Sequence, residues 1–180
     1  MITQRDENGI YGLREMVQYM LKIRPATQMQ ACEVGSWTGE SALVFVSYLE
    51  IEKLTCIDPF DYNQVKDDPG CKNNKDDFEG QWEKFKERTM PYKNKIHVFK
   101  KTSRNAISYF GRQFDFVYLD ASHQYGEVCH DINAWKRTIV HGGFICGHDY
   151  IGYREVYDAV RNSIGYPDCV FLDSSWVKRV

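Results

Sequence analysis

Ala31-Cys32-Glu33-Val34-Gly35-Ser36-Trp37-Thr38-Gly39-Glu40-Ser41 is the stretch on which the reading of the fold depends. Ala31 to Val34 is a short run that reads as a buried strand, and Glu40 to Leu49 reads as a helix, so Gly35 to Gly39 is a strand-to-helix turn. Glycine after a strand lets the backbone turn tightly and approach a ligand, while the next helix presents unpaired N–H groups. Taken alone, a two-glycine turn is also what an ordinary strand-to-helix connection looks like. Asp58, at the end of the next strand (Leu54 to Ile57), shifts the balance, because a carboxylate there can accept both hydroxyls of a ribose.

Outward from this core the pattern repeats. Leu13, Met16, Val17, Met20 and Leu21 have helical spacing, predicting a helix over 11–23 that Arg24-Pro25 ends. A polar stretch, 61–77, reads as a loop or a lid insertion, since long irregular segments in compact domains are often functional. Phe78, Trp82 and Phe85 share a helical face, Ile96 to Phe99 is a strand, Asn105 to Phe110 a short helix, and Phe114 to Leu119 a strand ending in Asp120. Tyr125, Val128, Ile132, Trp135 and Ile139 form the stripe of a helix that Gly142-Gly143 is expected to stop. Phe144 to Cys146 is a fifth strand ending in His148-Asp149, Val156 to Ile164 a last helix, and Cys169 to Leu172 and Trp176 to Val180 an antiparallel hairpin around Asp173-Ser174-Ser175. Strands alternating with helices imply an α/β fold, a mostly parallel sheet with helices on both faces. In such sheets ligands lie at the carboxyl ends of the strands, where Glu33-Val34-Gly35, Asp58, Asp120 and His148-Asp149 gather.

At 180 residues the chain has room for a single domain, read here as 1–180, and its 43% hydrophobic content supplies a core that a disordered chain would lack. A net charge of −2 gives no overall basic excess, which argues against generic nucleic-acid or anionic-membrane binding. Lys84, Lys86, Arg88, Lys93, Lys95, Lys100, Lys101 and Arg104 form a local basic excess, most simply a solvated helix face. Apolar runs are too short for a membrane span and the first eight residues too polar for a signal-peptide core, so a soluble, cytoplasmic protein is expected. The six scattered cysteines read as reduced thiols. A nicotinamide dinucleotide is disfavoured, because Trp37 stands where a second glycine should admit the pyrophosphate.

The blocks Glu33 to Ser41, Ile57-Asp58-Pro59, Asp120-Ala121-Ser122-His123 and Gly142-Gly143 to His148-Asp149-Tyr150 resemble, in order and spacing, the class I S-adenosylmethionine-dependent methyltransferases, within them methyltransferase domain family 24. The resemblance covers roughly 29–180 and implies a Rossmann-like, seven-stranded sheet. It also implies that Glu33, Gly35, Ser36, Trp37, Thr38, Gly39 and Ser41 line or edge the methionine and ribose part of S-adenosylmethionine, and that Asp58 holds the ribose. Thr102 and Ser103 fall at the adenine contacts, and Asp120 faces the methionine end or a metal. Ala121-Ser122 departs from the glycine that commonly follows that aspartate.

Methyl transfer to an alcohol needs alignment and removal of a proton, for which His123 and Asp149 are the candidates. His123 could equally cap its own loop. Asp120, His148 and Asp149 resemble the metal position of catechol-type O-methyltransferases, where magnesium or manganese lowers the pKa of a bound hydroxyl, although histidine is a poor magnesium ligand. The expected activity is O-methylation of a small molecule, by analogy a sugar or glycan precursor. The alternatives are a non-catalytic cofactor-binding module and a nucleic-acid methyltransferase, which the lack of an N/D-P-P-Y/F motif disfavours. Little chain precedes the first strand, so acceptor recognition is expected from the 61–77 loop, the loop after Asp149, or a second subunit of a homo-oligomer.

Overall fold

The computed structural model of the protein describes residues 7–67, 71 and 75–180. Residues 1–6, part of the signal-peptide reading, and 68–70 and 72–74, part of the 61–77 segment, lie outside the described residues.

The apolar stripe Leu13, Met16, Val17 and Met20 is buried and drives α1 (Glu7–Ile23), which begins a turn before the stripe and stops ahead of Pro25. After β1 (Met29–Val34), α2 (Glu40–Val46) is shorter than expected. Leu49, assigned from sequence to that helix, is 89% exposed, and the Ser47 hydroxyl donates to the Val44 carbonyl at 2.6 Å where the helix ends. Then come β2 (Ile51–Ile57), α3 (Gln81–Thr89), β3 (Ile96–Phe99), α4 (Ser103–Ala106), which passes into a 3₁₀ turn, and β4 (Phe114–Leu119).

The next boundary corrects the sequence reading. Helix α5 (Tyr125–Trp135) gives way to a 3₁₀ turn, where the Thr138 hydroxyl donates to the Trp135 carbonyl at 2.7 Å. Ile139, placed by its spacing on the helical stripe, instead begins β5 (Ile139–Gly147) and pairs with Phe114. Gly142-Gly143 therefore lie within the strand, not at a helix end, at a register shift against β4. Helix α6 (Arg154–Ile164), β6 (Cys169–Val170) and β7 (Trp176–Arg179) complete the chain.

The seven strands lie in the order β3-β2-β1-β4-β5-β7-β6. Strands β1 to β5 pair in parallel, and β7 runs antiparallel to both β5 and β6, a Rossmann-like sheet closed by a hairpin. Successive side chains of β4 enter opposite cores: Phe116 and Tyr118 join Leu13, Phe45 and Phe85 under α1 to α3, while Val117 and Leu119 join Ile132, Trp135 and Val160 under α5 and α6. Strand order reverses between β1 and β4, so their carboxyl ends open the crevice in which a ligand fits. No helix among the described residues is long and apolar enough to cross a membrane.

Candidate functional site

Pairing persists to the very ends of the central strands. The Asp120 amide donates to the Val34 carbonyl at 2.8 Å, and the Gly35 amide to that of Ile57 at 2.8 Å. A Cβ on Gly35, whose φ is +88°, would stand 2.1 Å from the Asp120 carbonyl oxygen, so only glycine lets β1 leave the sheet this close to β4. The result is a cavity of about 590 Å³, within the size range of small-molecule and cofactor sites.

Of the residues anticipated for the cofactor, Gly35, Trp37, Asp58, Thr102, Ser103 and Asp120 line this cavity. Asp58 is nearly buried: one oxygen accepts the Ser36 and Trp37 amides at 3.1 and 2.9 Å, the other the Phe60 amide at 2.7 Å. Burial pushes its carboxyl up, and the three N–H donors oppose that shift. Asp58 thus shapes the turn after β1, and the three bonds leave acceptor capacity on the oxygen bonded to Phe60. Trp37 takes a positive φ of 44° and meets Phe78 edge to face at 4.7 Å, forming one wall.

Glu33, Ser36, Thr38, Gly39 and Ser41, also anticipated for the cofactor, are not among the residues that line it. Glu33 is fully buried and accepts the Ser41 hydroxyl and, at 3.8 Å, the Cys56 thiol. Thr38 receives Arg88 on both its carbonyl and its hydroxyl oxygen at 2.7 Å, and Arg88 pairs with Glu40 at 3.2 Å. Arg88 is therefore no part of a solvated basic face: it ties α3 to the first turn of α2. Lys95 likewise caps the Val46 and Tyr48 carbonyls at 3.4 and 3.0 Å, and Lys100 lies 3.6 Å over the Trp82 ring. The signal for Arg88 was its place between Phe85 and Thr89, both on the buried side of α3.

Beside the cavity, linked to it by Asp120 to Ser122, lies a polar group at the ends of β4 and β5. The Nε2 of His123 is 2.7 Å from one Asp149 oxygen, and Nδ1 of His148 is 3.0 Å from the other. Burial pushes the Asp149 carboxyl up, but the contacts from both imidazoles more than offset this and hold it well below the ordinary carboxylate range. The His123 ring stacks on Tyr153 with centroids 4.3 Å apart and planes 10° from parallel, a neighbour that sequence reading missed.

Asp149 itself has φ +62°, and the turn of the β6–β7 hairpin braces its loop. The Tyr150 amide donates to the Ser174 carbonyl at 3.2 Å, the Ile151 amide to the Ser174 hydroxyl at 3.0 Å, and Trp176 Nε1 to the His148 carbonyl at 3.2 Å. His148 also faces Asp173 at 3.9 Å. Among the described residues, those whose donor atoms converge within 4.8 Å are Asp120, His123 and Asp149, and His148 contacts Asp149. Two carboxylates and an imidazole do not make the oxygen cage magnesium prefers, and imidazoles already engage both Asp149 oxygens. The set fits a hydrogen-bonded acid–base group better than a divalent cation.

The family model described as "Methyltransferase domain" matches residues 32–150. An uncharacterized protein of Acanthamoeba polyphaga mimivirus is 26% identical over 130 residues, 68% of this chain and 52% of that protein, so the chain spans about half the length of this curated relative. Among solved structures, spermidine synthase from Thermotoga maritima aligns over 98% of this chain and 60% of its own, with 13% identity and a TM-score of 0.63. A putative rRNA-methylase from Clostridium thermocellum aligns over 99% and 100%, with 10% identity and a TM-score of 0.61. At these identities the structural likenesses establish the shared fold.

Proposed function

We propose, from the premise that this chain belongs to the methyltransferase-domain family matched over residues 32–150, that it moves the methyl group of S-adenosylmethionine to a hydroxyl oxygen of a small molecule such as a sugar. The observation that carries the oxygen acceptor is the His123–Asp149 pair, 2.7 Å apart in the polar group beside the cavity.

The cofactor supplies an electrophilic methyl carbon on a sulfonium. Gly35, Trp37, Asp58 and Asp120, which line the cavity, would hold and orient it, and the chain would then need only to align the acceptor and take its proton. Asp149, ionised and held by His148, engages Nε2 of His123, and that imidazole would take the acceptor hydroxyl's proton as the methyl group passed from the sulfonium sulfur to the oxygen, with S-adenosylhomocysteine as the leaving group. Tyr153 is half exposed beside that imidazole and offers a flat apolar face to an acceptor with C–H as well as O–H groups, which supports a sugar. Gln64, Val65 and Cys71 of the 61–77 segment line the cavity, supporting a role for it in enclosing the ligand. Cys32, Cys56 and Cys146 are buried thiols, which supports a reducing, cytoplasmic setting.

The test has two stages. Titration with S-adenosylhomocysteine should change tryptophan fluorescence, through Trp37. Labelled methyl donor offered with a panel of hydroxylated small molecules should then give a labelled product. His123→Ala should lower turnover by ~10²–10⁴ and EDTA should leave it unchanged. Undiminished turnover in both His123→Ala and Asp149→Asn would remove the acid–base role. Cofactor binding with no transfer to any class of acceptor would make the chain a binding module.

A further inference from the structure

The turn between β6 and β7 buries a carboxyl group that methyl transfer, as proposed above, does not use. The side chain of Asp173 is 2% exposed. One oxygen accepts the Ser175 amide at 3.0 Å and the other the Ser175 hydroxyl at 2.8 Å, so its own turn fixes the carboxylate. The second oxygen also stands 3.9 Å from Nε2 of His148. Pairing of Gly147 with Trp176 sets this turn against the end of β5, where His148 and Asp149 follow. Asp173 is not among the residues that line the cavity or the polar group beside it, so any part it takes in the chemistry runs through His148.

The backbone of His148 is tied on both sides: its amide donates to the Leu119 carbonyl at 3.1 Å, and its carbonyl accepts Trp176 Nε1 at 3.2 Å. The imidazole is not fixed by these bonds, because the ring torsion of histidine has two broad wells half a turn apart. Each ring nitrogen meets a carboxylate: Nδ1 lies 3.0 Å from Asp149, and Nε2 faces Asp173. Asp149, held well below the ordinary carboxylate range, can only accept, so Nδ1 of His148 carries the hydrogen of that contact. The other Asp149 oxygen accepts from Nε2 of His123 at 2.7 Å. Resting on the acid–base reading of His123 and Asp149, we propose that Asp173 is a positioning residue for methyl transfer. It holds the His148 ring with Nδ1–H on Asp149, and Asp149 so held presents its second oxygen to His123. The backbone of Asp149 takes a left-handed φ of +62°, which an aspartate tolerates without thereby fixing its carboxylate, so the orientation of that group depends on the two imidazoles. Asp173, His148, Asp149 and His123 then form one chain, through which the C-terminal hairpin sets the direction of the base.

The experiment observes the imidazoles themselves, by proton–nitrogen correlation NMR on protein carrying isotopically labelled histidine, with no ligand added. Loss of signals in His148→Gln and in His123→Ala assigns the two rings. In the parent chain His148 should carry a hydrogen on Nδ1 and His123 one on Nε2, both shifted downfield by their carboxylate partner. In Asp173→Ala the His148 signal should move toward that of a solvated imidazole, and the His123 signal should move with it. Asp173→Asn keeps an oxygen for the Ser175 amide and offers an N–H to Nε2 of His148, so both signals should stay near those of the parent. With an acceptor from the panel above, Asp173→Ala should lower kcat by about 10–10²-fold with KM for S-adenosylmethionine unchanged, and Asp173→Asn should recover most of that loss. A merely structural role would lower the melting temperature and leave the histidine signals of the folded fraction in place. A parent His148 whose only hydrogen is on Nε2 would overturn the inference, and that measurement needs no variant to fold. A His123 signal unmoved in folded Asp173→Ala, or full kcat in that variant where His123→Ala has lost turnover, would overturn it while leaving the acid–base reading intact. Full turnover in His123→Ala would overturn the acid–base reading itself, and this inference with it.

Discussion

At Asp131 an acid sits among the apolar positions of α5, three residues after Val128 and four before Trp135. That placement was readable, because the stripe sets the buried face and Asp131 falls on it. What it faced, Ser103 of α4, was not readable, because the two meet only through the packing of separate helices. Its carboxyl is raised from 3.8 to about 6, chiefly by burial, so the folded state holds the proton more tightly than the unfolded chain. The sign follows: this contribution to stability is fully present below about pH 4 and is lost as pH rises through 6, a swing of up to about 3 kcal/mol. Asp131→Asn abolishes that titration. Its melting temperature relative to the parent is expected to move in the variant's favour between pH 4 and pH 7, followed by thermal denaturation at each pH. A difference that stays constant across that range would show that the buried charge costs the fold nothing.

Among elements, the hairpin formed by β6 and β7 was expected from Asp173-Ser174-Ser175, but its effect on the site was not. Its turn braces the loop carrying Asp149, and α1 backs the turn: a Cβ on Gly12 would lie 2.2 Å from an Asp173 oxygen. Asp173 in turn accepts the Ser175 amide at 3.0 Å and the Ser175 hydroxyl at 2.8 Å, so it has little freedom to move away. Gly12→Ala is expected to destabilise the chain by about 1–3 kcal/mol through overpacking. Affinity for S-adenosylhomocysteine should be preserved, since Gly12 is not among the residues that line the cavity. Thermal melts and calorimetry on the one variant check both statements, and an unchanged melting temperature would mean that α1 can withdraw from the hairpin at no cost.

Across the whole molecule, one sheet separates two cores, and every central strand contributes to both. Phe45 anchors the first and Ile132 the second, each fully buried. Because the strands are shared, Phe45→Ala and Ile132→Ala should each cost about 2–5 kcal/mol and shift the same single unfolding transition. Calorimetry that resolved two transitions would divide the chain into separate folding units. The amino-acid order by itself determined the alternation of strands and helices, with β3 and β4 bounded residue for residue, and the placing of Gly35, Asp58, Asp120 and Asp149 at strand ends, because apolar periodicity and turn chemistry act over a few neighbouring residues. Periodicity failed at Ile139, where a helical interval and the start of a β-branched strand look alike. Only the tertiary structure decided that Arg88 bonds to Thr38, that His123 and His148 share Asp149, and that Ser103 meets Asp131. Those contacts join residues from 26 to 50 apart or adjacent residues whose rings must turn, and they depend on strand order and helix packing that no local interval encodes.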